Sequence, residues 1–202
     1  MVPQGSHPEG KPKMSEDLLR LGVIVGSTRE GRFAGTVADW FAGLAEQHPE
    51  LDVDLIDLAE LELPAVHPAG PTPELTAYTG RLAAADAFVV ITPEYNHGYP
   101  ASLKYAIDTA GAEWQTKPVG FVSYGGISGG LRAVEQLRQV FAELHAVTVR
   151  ETVSFHGVYD RFDESGNPKD ETGPAGAAKL MLDQVVWWAR ATKEARIRRP
   201  YR

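Results

Sequence analysis

"VIVGSTREGRF", residues Val23 to Phe33, is the stretch on which the fold turns. An apolar run rich in β-branched residues stops at Gly26. Small hydroxyl and basic residues follow, and then Val37, Trp40, Phe41 and Leu44 fall on one face of a helical pattern. Strand, tight turn and helix start in that order open a parallel α/β unit. The turn itself reads as an anion site. Gly26 permits a sharp turn, Ser27 and Thr28 offer hydroxyls, and free N–H groups at a helix start suit a phosphate. Arg29 and Arg32 add fork-shaped donors that match phosphate oxygens. Gly26 and Gly31 have the spacing of the nucleotide-hydrolase loop G-x-x-x-x-G-K-[ST], in which Lys reaches the terminal phosphates and Ser or Thr holds magnesium. Here those two positions are Arg32 and Phe33. Phe33 cannot ligate a metal, so the loop suits a monophosphate rather than a triphosphate. An ordinary βα turn is the plainer alternative.

Outward from this stretch the same unit recurs. "LDVDLIDL" alternates apolar and acidic residues and reads as a strand with one wetter face. "DAFVVIT" is a fully buried strand, "KPVGFVSY" a fourth, and "AVTVRETVSFH" a fifth, interrupted near Arg150-Glu151. Helices are expected from about Glu74 to Ala85, then along Leu103, Ala106, Ile107 and Ala110, along Val134, Leu137, Phe141 and Leu144, and along Leu182, Val185, Val186 and Ala189. Five βα units in series imply a parallel sheet covered by helices on both faces. No repeat or domain linker interrupts residues 18–195, which read as one domain. Residues 1–17 read as a disordered leader, with "VPQGSH" resembling an expression-vector linker and Met14 a candidate native start. Residues 196–202 form a basic tail, read as a solvated helix end.

Bulk properties narrow the function. A chain of 202 residues with 43% hydrophobic and 23% charged content can bury an ordinary globular core. A net charge of −7 gives nothing that favours nucleic acid. The absence of cysteine excludes disulfides, thiol catalysis and Cys-based zinc sites. No apolar run approaches the ~20 residues of a membrane span, and no secretory h-region is visible, so a cytoplasmic location is expected. No histidine pair has metal-ligand spacing.

Ligands of open parallel sheets bind beyond the carboxyl ends of the strands, and two further loops there are unusual. In "SYGGISGG", Ser123 to Gly130, the last five residues match the nucleophile elbow G-x-S-x-G between a strand and a helix. A hydrolase would use Ser128, with Glu151 and His156 following in order. The other reading is a glycine-rich turn that lets a flat ligand approach the backbone. In "PEYNHGYP", Pro93 to Pro100, aromatic and polar residues suit the rim of a planar heterocycle. Glu94 and His97 also offer an acid–base pair, while a braced surface loop would leave His97 solvated.

Together, "GSTR" after the first strand, "PEYNHGYPASLKYAID" after the third and "SYGGISGG" after the fourth resemble the NAD(P)H-dependent FMN reductases, from about Leu21 to Phe155. The resemblance implies a flavodoxin-like three-layer sandwich with sheet order 2-1-3-4-5 and noncovalently bound FMN. NADPH or NADH would be the co-substrate, and the partner a small electron acceptor such as a flavin, quinone or azo compound. No G-x-G-x-x-G is present, so the nicotinamide would stack over the flavin. By resemblance, Ser27 and Arg29 hold the FMN phosphate, with Arg32 and Phe33 completing the loop, although family members often carry Ser or Asn at those last two positions. Whether Arg32 meets that phosphate or the 2′-phosphate of NADPH stays open. Pro93, Glu94, Tyr95 and Asn96 would line the isoalloxazine ring, and Ser123, Tyr124, Gly125 and Gly126 its other edge, with backbone at Gly125 or Gly126 stabilising the reduced flavin. The helix near Ala101, with Leu103, Lys104 and Asp108, resembles the family's dimer-forming helix, which implies homodimers or homotetramers. A flavodoxin-like electron carrier, a flavin-binding regulatory module and the Ser128 hydrolase remain as alternatives.

Overall fold

The structure is a computed structural model and describes residues 18–64 and 66–201; the expected leader lies outside them. Five strands and five helices alternate: β1 Leu19–Val25, α1 Ala34–Glu46, β2 Leu51–Asp57, α2 Pro73–Ala84, β3 Ala87–Pro93, α3 Ala101–Asp108, β4 Pro118–Gly125, α4 Leu131–Glu143, β5 Val147–His156 and α5 Gly173–Arg198. All strand pairs are parallel, and the sheet order is β2-β1-β3-β4-β5. This is the expected flavodoxin-like order, with the chain reversing its direction of travel between β1 and β3.

Period-two alternation along each strand divides the core. Leu21, Val23, Val25, Val89 and Ile91 face α1 and α5, where they meet Val37, Phe41, Met181 and Val185. Ile24, Phe88, Val90 and Phe121 face the opposite layer of α2, α3 and α4, against Tyr78, Leu82, Ile107 and Phe141. Trp114 fills that second layer completely buried, its ring 4.7 Å from Phe88 and its indole N–H on the Ile107 carbonyl at 3.1 Å. β3 is buried along its whole length, as a central strand must be.

The interruption expected in β5 is a bulge. Val119 pairs with Thr148 and Phe121 with Thr152, so β5 gains residues around Val149–Glu151. Arg138 covers the open edge there by donating to the carbonyls of Val149 and Arg150, a device that blunts an edge strand. At the other end of the chain, α5 runs to Arg198, so the start of the expected basic tail is helical. Beyond it, the Tyr201 hydroxyl meets His145 Nδ1 at 2.8 Å.

Lys117, just before β4, is 6% exposed. Its ammonium donates to the carbonyls of Leu82 at 2.7 Å and Ala83 at 3.1 Å, closing the C-terminal end of α2. Burial, with Arg196 adding to it, pushes this ammonium down from 10.5 to about 8. Between these two values the unfolded chain binds the extra proton, so this group makes stability rise with pH there. The stability of the wild type relative to Lys117→Met is expected to grow by up to about 3 kcal/mol from pH 8 to 10.5, read by denaturant unfolding at both ends. A difference that stays flat contradicts the assignment.

Candidate active site

The three loops meet at the carboxyl ends of β1, β3 and β4. The first leaves β1 when the Gly26 N–H bonds the Ile91 carbonyl at 2.9 Å. From there to α1 the backbone runs free: the amides of Thr28, Arg29, Glu30 and Gly31 have no hydrogen-bond partner among the described residues. α1 also lacks a side-chain cap at its N-terminus. Backbone donors rarely stay unpaired unless water or a ligand takes them. The Arg29 side chain is exposed and likewise without a partner among the described residues. Ser27 is fully buried, and its hydroxyl lies 2.8 Å from the Tyr95 hydroxyl. Arg32 is paired with Asp57 at the end of β2, both guanidinium nitrogens lying 2.5 Å from the carboxylate oxygens.

In the second loop, Tyr95 and Gly98 exchange both backbone hydrogen bonds, at 2.8 and 3.1 Å, around Asn96 and His97. Those two residues hold φ of 49° and 77°, the two-residue hairpin geometry that Asn accepts and His resists. The Gln136 side chain donates to the His97 carbonyl at 2.9 Å and steadies the turn. Asn96 therefore stands exposed at the tip. Glu94 is 7% exposed on its side chain. It accepts from the Arg132 N–H and guanidinium, each at 3.1 Å, at the start of α4. Glu94 and His97 thus do not form an acid–base pair.

The third loop follows β4. Ser123 is buried and donates to the Gly129 carbonyl at 2.8 Å. Gly129 and Gly130 hold φ of +60° and +86°, and a Cβ at either would collide with Ser154 or Ser123. Gly126 has nothing within 4 Å of a Cβ position. Its amide, with those of Ile127 and Ser128, lacks a partner among the described residues. The nucleophile elbow is not assembled. Ser128 Oγ accepts from the Gly130 N–H at 3.4 Å, His156 Nδ1 is on the Ile127 carbonyl at 2.9 Å, and Glu151 pairs with Arg150.

These loops enclose a cavity of about 280 Å³ lined by Arg29, Arg32, Phe33, Pro93, Glu94, Tyr95, Tyr124, Gly125 and Gly126. Ser27, Asn96 and Ser123, the other candidates read from the sequence, do not line it. Glu30, Gly31, Val158 and Tyr159 complete the wall. The last two come from the turn after β5, whose Gly157 N–H bonds the Gly126 carbonyl at 2.9 Å. Tyr159 is an aromatic residue just past a strand's carboxyl end, and that position was its only signal in the sequence. Phe33 has an aromatic role: its ring stands edge-on to Tyr159 at 5.5 Å and to Phe162 at 5.4 Å, binding the first loop to the fourth. Burial holds the Tyr124 phenol well above its ordinary range, with Tyr95 adding and the Ser27 hydroxyl opposing. It therefore stays neutral.

Burial alone would raise the Glu94 carboxyl. Bonds from Ser128 and from the Arg132 backbone and guanidinium outweigh this and hold it below its ordinary 4.5. A depressed acid contributes stability above its unfolded value and loses it as pH falls through the folded one. Glu94→Gln is expected to cost about 2 kcal/mol at neutral pH, with the difference from wild type closing as pH falls below 4.5 and through the lowered folded value. Equal stability at neutral pH would contradict the brace.

The comparisons with known proteins agree with this geometry. The family model of the NADPH-dependent FMN reductases matches residues 19–160. An NAD(P)H-dependent FMN reductase of Schizosaccharomyces pombe is 37% identical over 142 residues, 66% of this chain and 69% of that protein. An FMN-dependent NADPH-azoreductase of Staphylococcus haemolyticus is 31% identical over 176 residues, 81% of this chain and 92% of that one. Among solved structures, the flavoenzyme NAD(P)H:(acceptor) oxidoreductase FerB of Paracoccus denitrificans superposes with a TM-score of 0.69 at 24% identity, over 87% of this chain and 99% of that one, a likeness of fold. With four strand ends converging on one cavity and the family model spanning all of them, the chain belongs to the NADPH-dependent FMN reductase family.

Proposed function

We propose that the unpaired amides of Thr28 to Gly31, with the Arg29 guanidinium, hold the phosphate of FMN, and that the ring lies between the loops after β3 and β4. The observation that carries this reading is the row of unsatisfied amides. They offer donors to a phosphate at a helix start with no metal required. A single cation beside them suits a monophosphate. Pro93, Tyr95, Tyr124 and Gly125 would supply the cavity wall for a flat ring, and the position at Gly126 is open.

Bound there, FMN would supply the hydride chemistry that links nicotinamide to acceptor. The chain's part is to orient and tune. The free amide of Gly126 can donate to charge that builds on the reduced ring's edge. Tyr159, 78% exposed at the rim, offers a stacking face to whichever aromatic substrate enters. Nicotinamide and acceptor would visit this one face in turn. Acceptors of the planar quinone, azo or free-flavin kind suit the exposed Tyr159 ring at the cavity wall. We take the active form to be a homodimer or homotetramer. Leu103 is buried in the core, so it contributes nothing to a subunit contact through α3. Lys104 and Asp108, paired at 2.5 Å on the outer face, remain for one.

Purified protein incubated with FMN is expected to gain flavin absorbance and to oxidise NADPH or NADH steadily with a quinone acceptor. Failure to bind FMN sinks the reading, and binding without turnover favours a carrier. Arg29→Ala is expected to weaken FMN binding by about tenfold or more while leaving riboflavin binding near wild type. Equal losses for the two flavins would remove Arg29 from the phosphate.

A further inference from the structure

We propose that Arg32 is a positioning residue for the phosphate loop, acting through the Ser27 carbonyl and the Asp57 carboxylate and not by touching the bound phosphate. The proposal rests on the reading that the Thr28 to Gly31 amides receive that phosphate.

The guanidinium is already committed. Nη1 donates to the Ser27 carbonyl and to Asp57 Oδ1, each at 2.5 Å, and Nη2 donates to Asp57 Oδ2 at 2.5 Å. The pair is mostly enclosed, with side-chain exposures of 19% and 14%. This is the bidentate fork that arginine makes and lysine cannot. Pulling it away would leave a half-buried carboxylate unpaired, a costly state. A phosphate arriving at Arg32 would also meet Asp57.

The geometry gives the pair a task. A trans peptide points its C=O and its N–H in opposite directions. Because Arg32 draws the Ser27 carbonyl to itself, the Thr28 N–H of the same peptide is turned away from Arg32. The Arg32 backbone N–H in turn bonds the Arg29 carbonyl at 3.2 Å. The free amides are thus strung between two contacts of one residue. Asp57 is a firm anchor, being the last residue of β2, in register with Val25 of β1. Its carboxylate also accepts the Ala59 N–H at 3.0 Å. The fork therefore ties the loop to the sheet edge, and Arg29 is left as the cation of the cradle.

The discriminating variant is Asp57→Asn, for which the two roles of Arg32 give opposite signs. If Arg32 touched the phosphate, removing the competing carboxylate would free it and tighten FMN binding. As a clamp, its loss lets the amides disperse. FMN and riboflavin affinities would be measured by fluorescence on flavin-stripped wild type, Asp57→Asn and Arg32→Lys, with thermal unfolding confirming the fold. The expected result is FMN binding weakened about tenfold in both variants, with riboflavin, which lacks the phosphate, changed less than about twofold. FMN binding unchanged or tighter in Asp57→Asn overturns the proposal, as do equal losses for both flavins. Should Asp57→Asn fail to fold, Arg32→Lys decides alone: a retained cation with wild-type FMN affinity refutes the clamp. A wild type that binds no FMN overturns the functional reading beneath it, whereas a wild type that binds FMN isolates the clamp.

Discussion

Backbone amides with no partner inside a protein must find one outside it, and the segment from Thr28 to Gly31 has four in a row. The rest of the site is arranged around that constraint. β1 stops pairing at Gly26 because its neighbour β3 takes one last bond from it. α1 starts without a side-chain cap. Between them the chain leaves the sheet and closes only one turn, by the Arg32 N–H on the Arg29 carbonyl, which leaves the amides of residues 28–31 free. A phosphate would satisfy these donors, with a favourable field from the helix start. The sheet order then decides what else lies within reach, since β3 and β4 end beside β1 on the same edge.

The buried, hydrogen-bonded polar groups explain why the loops keep their shape. Ser27 joins the tyrosines beneath the first loop, Glu94 fastens the second loop to α4, and Ser123 holds the Gly129 carbonyl. Each is buried and bonded, which is how such groups avoid a desolvation penalty. The strained turn at Asn96 and His97 is held by the paired bonds of Tyr95 and Gly98 and by Gln136. The scaffold is thus braced beneath the cavity and open at Gly126 and Tyr159.

The fold was legible because its signals are local. Four of the five strand runs end in glycine or proline, the helices show periodic apolar faces, and even the irregularity at Arg150-Glu151 showed as charge inside a strand. The lining of the cavity by Arg29, Pro93, Tyr95, Tyr124 and Gly126 was legible for the same reason, since short motifs sit directly on strand ends. What escaped depends on three-dimensional neighbours. Arg32 and Asp57 are 25 residues apart and meet only because β2 lies beside β1. Ser27 and Ser123 have the residue type of ligand contacts, yet the rotation of the chain at the strand ends turns their hydroxyls inward. Tyr159 joins the wall because the turn after β5 is tied to Gly126 through the Gly157 N–H, and no motif announces that.

The most direct measurement is the backbone amide spectrum of ¹⁵N-labelled protein titrated with FMN and, separately, with riboflavin. If the free amides receive the phosphate, the Thr28, Arg29, Glu30 and Gly31 protons move downfield with FMN and stay in place with riboflavin. Gly126 and its neighbours respond to both. Identical shifts with the two flavins along residues 28–31, or none there with FMN, would contradict the claim that this loop is built for a phosphate.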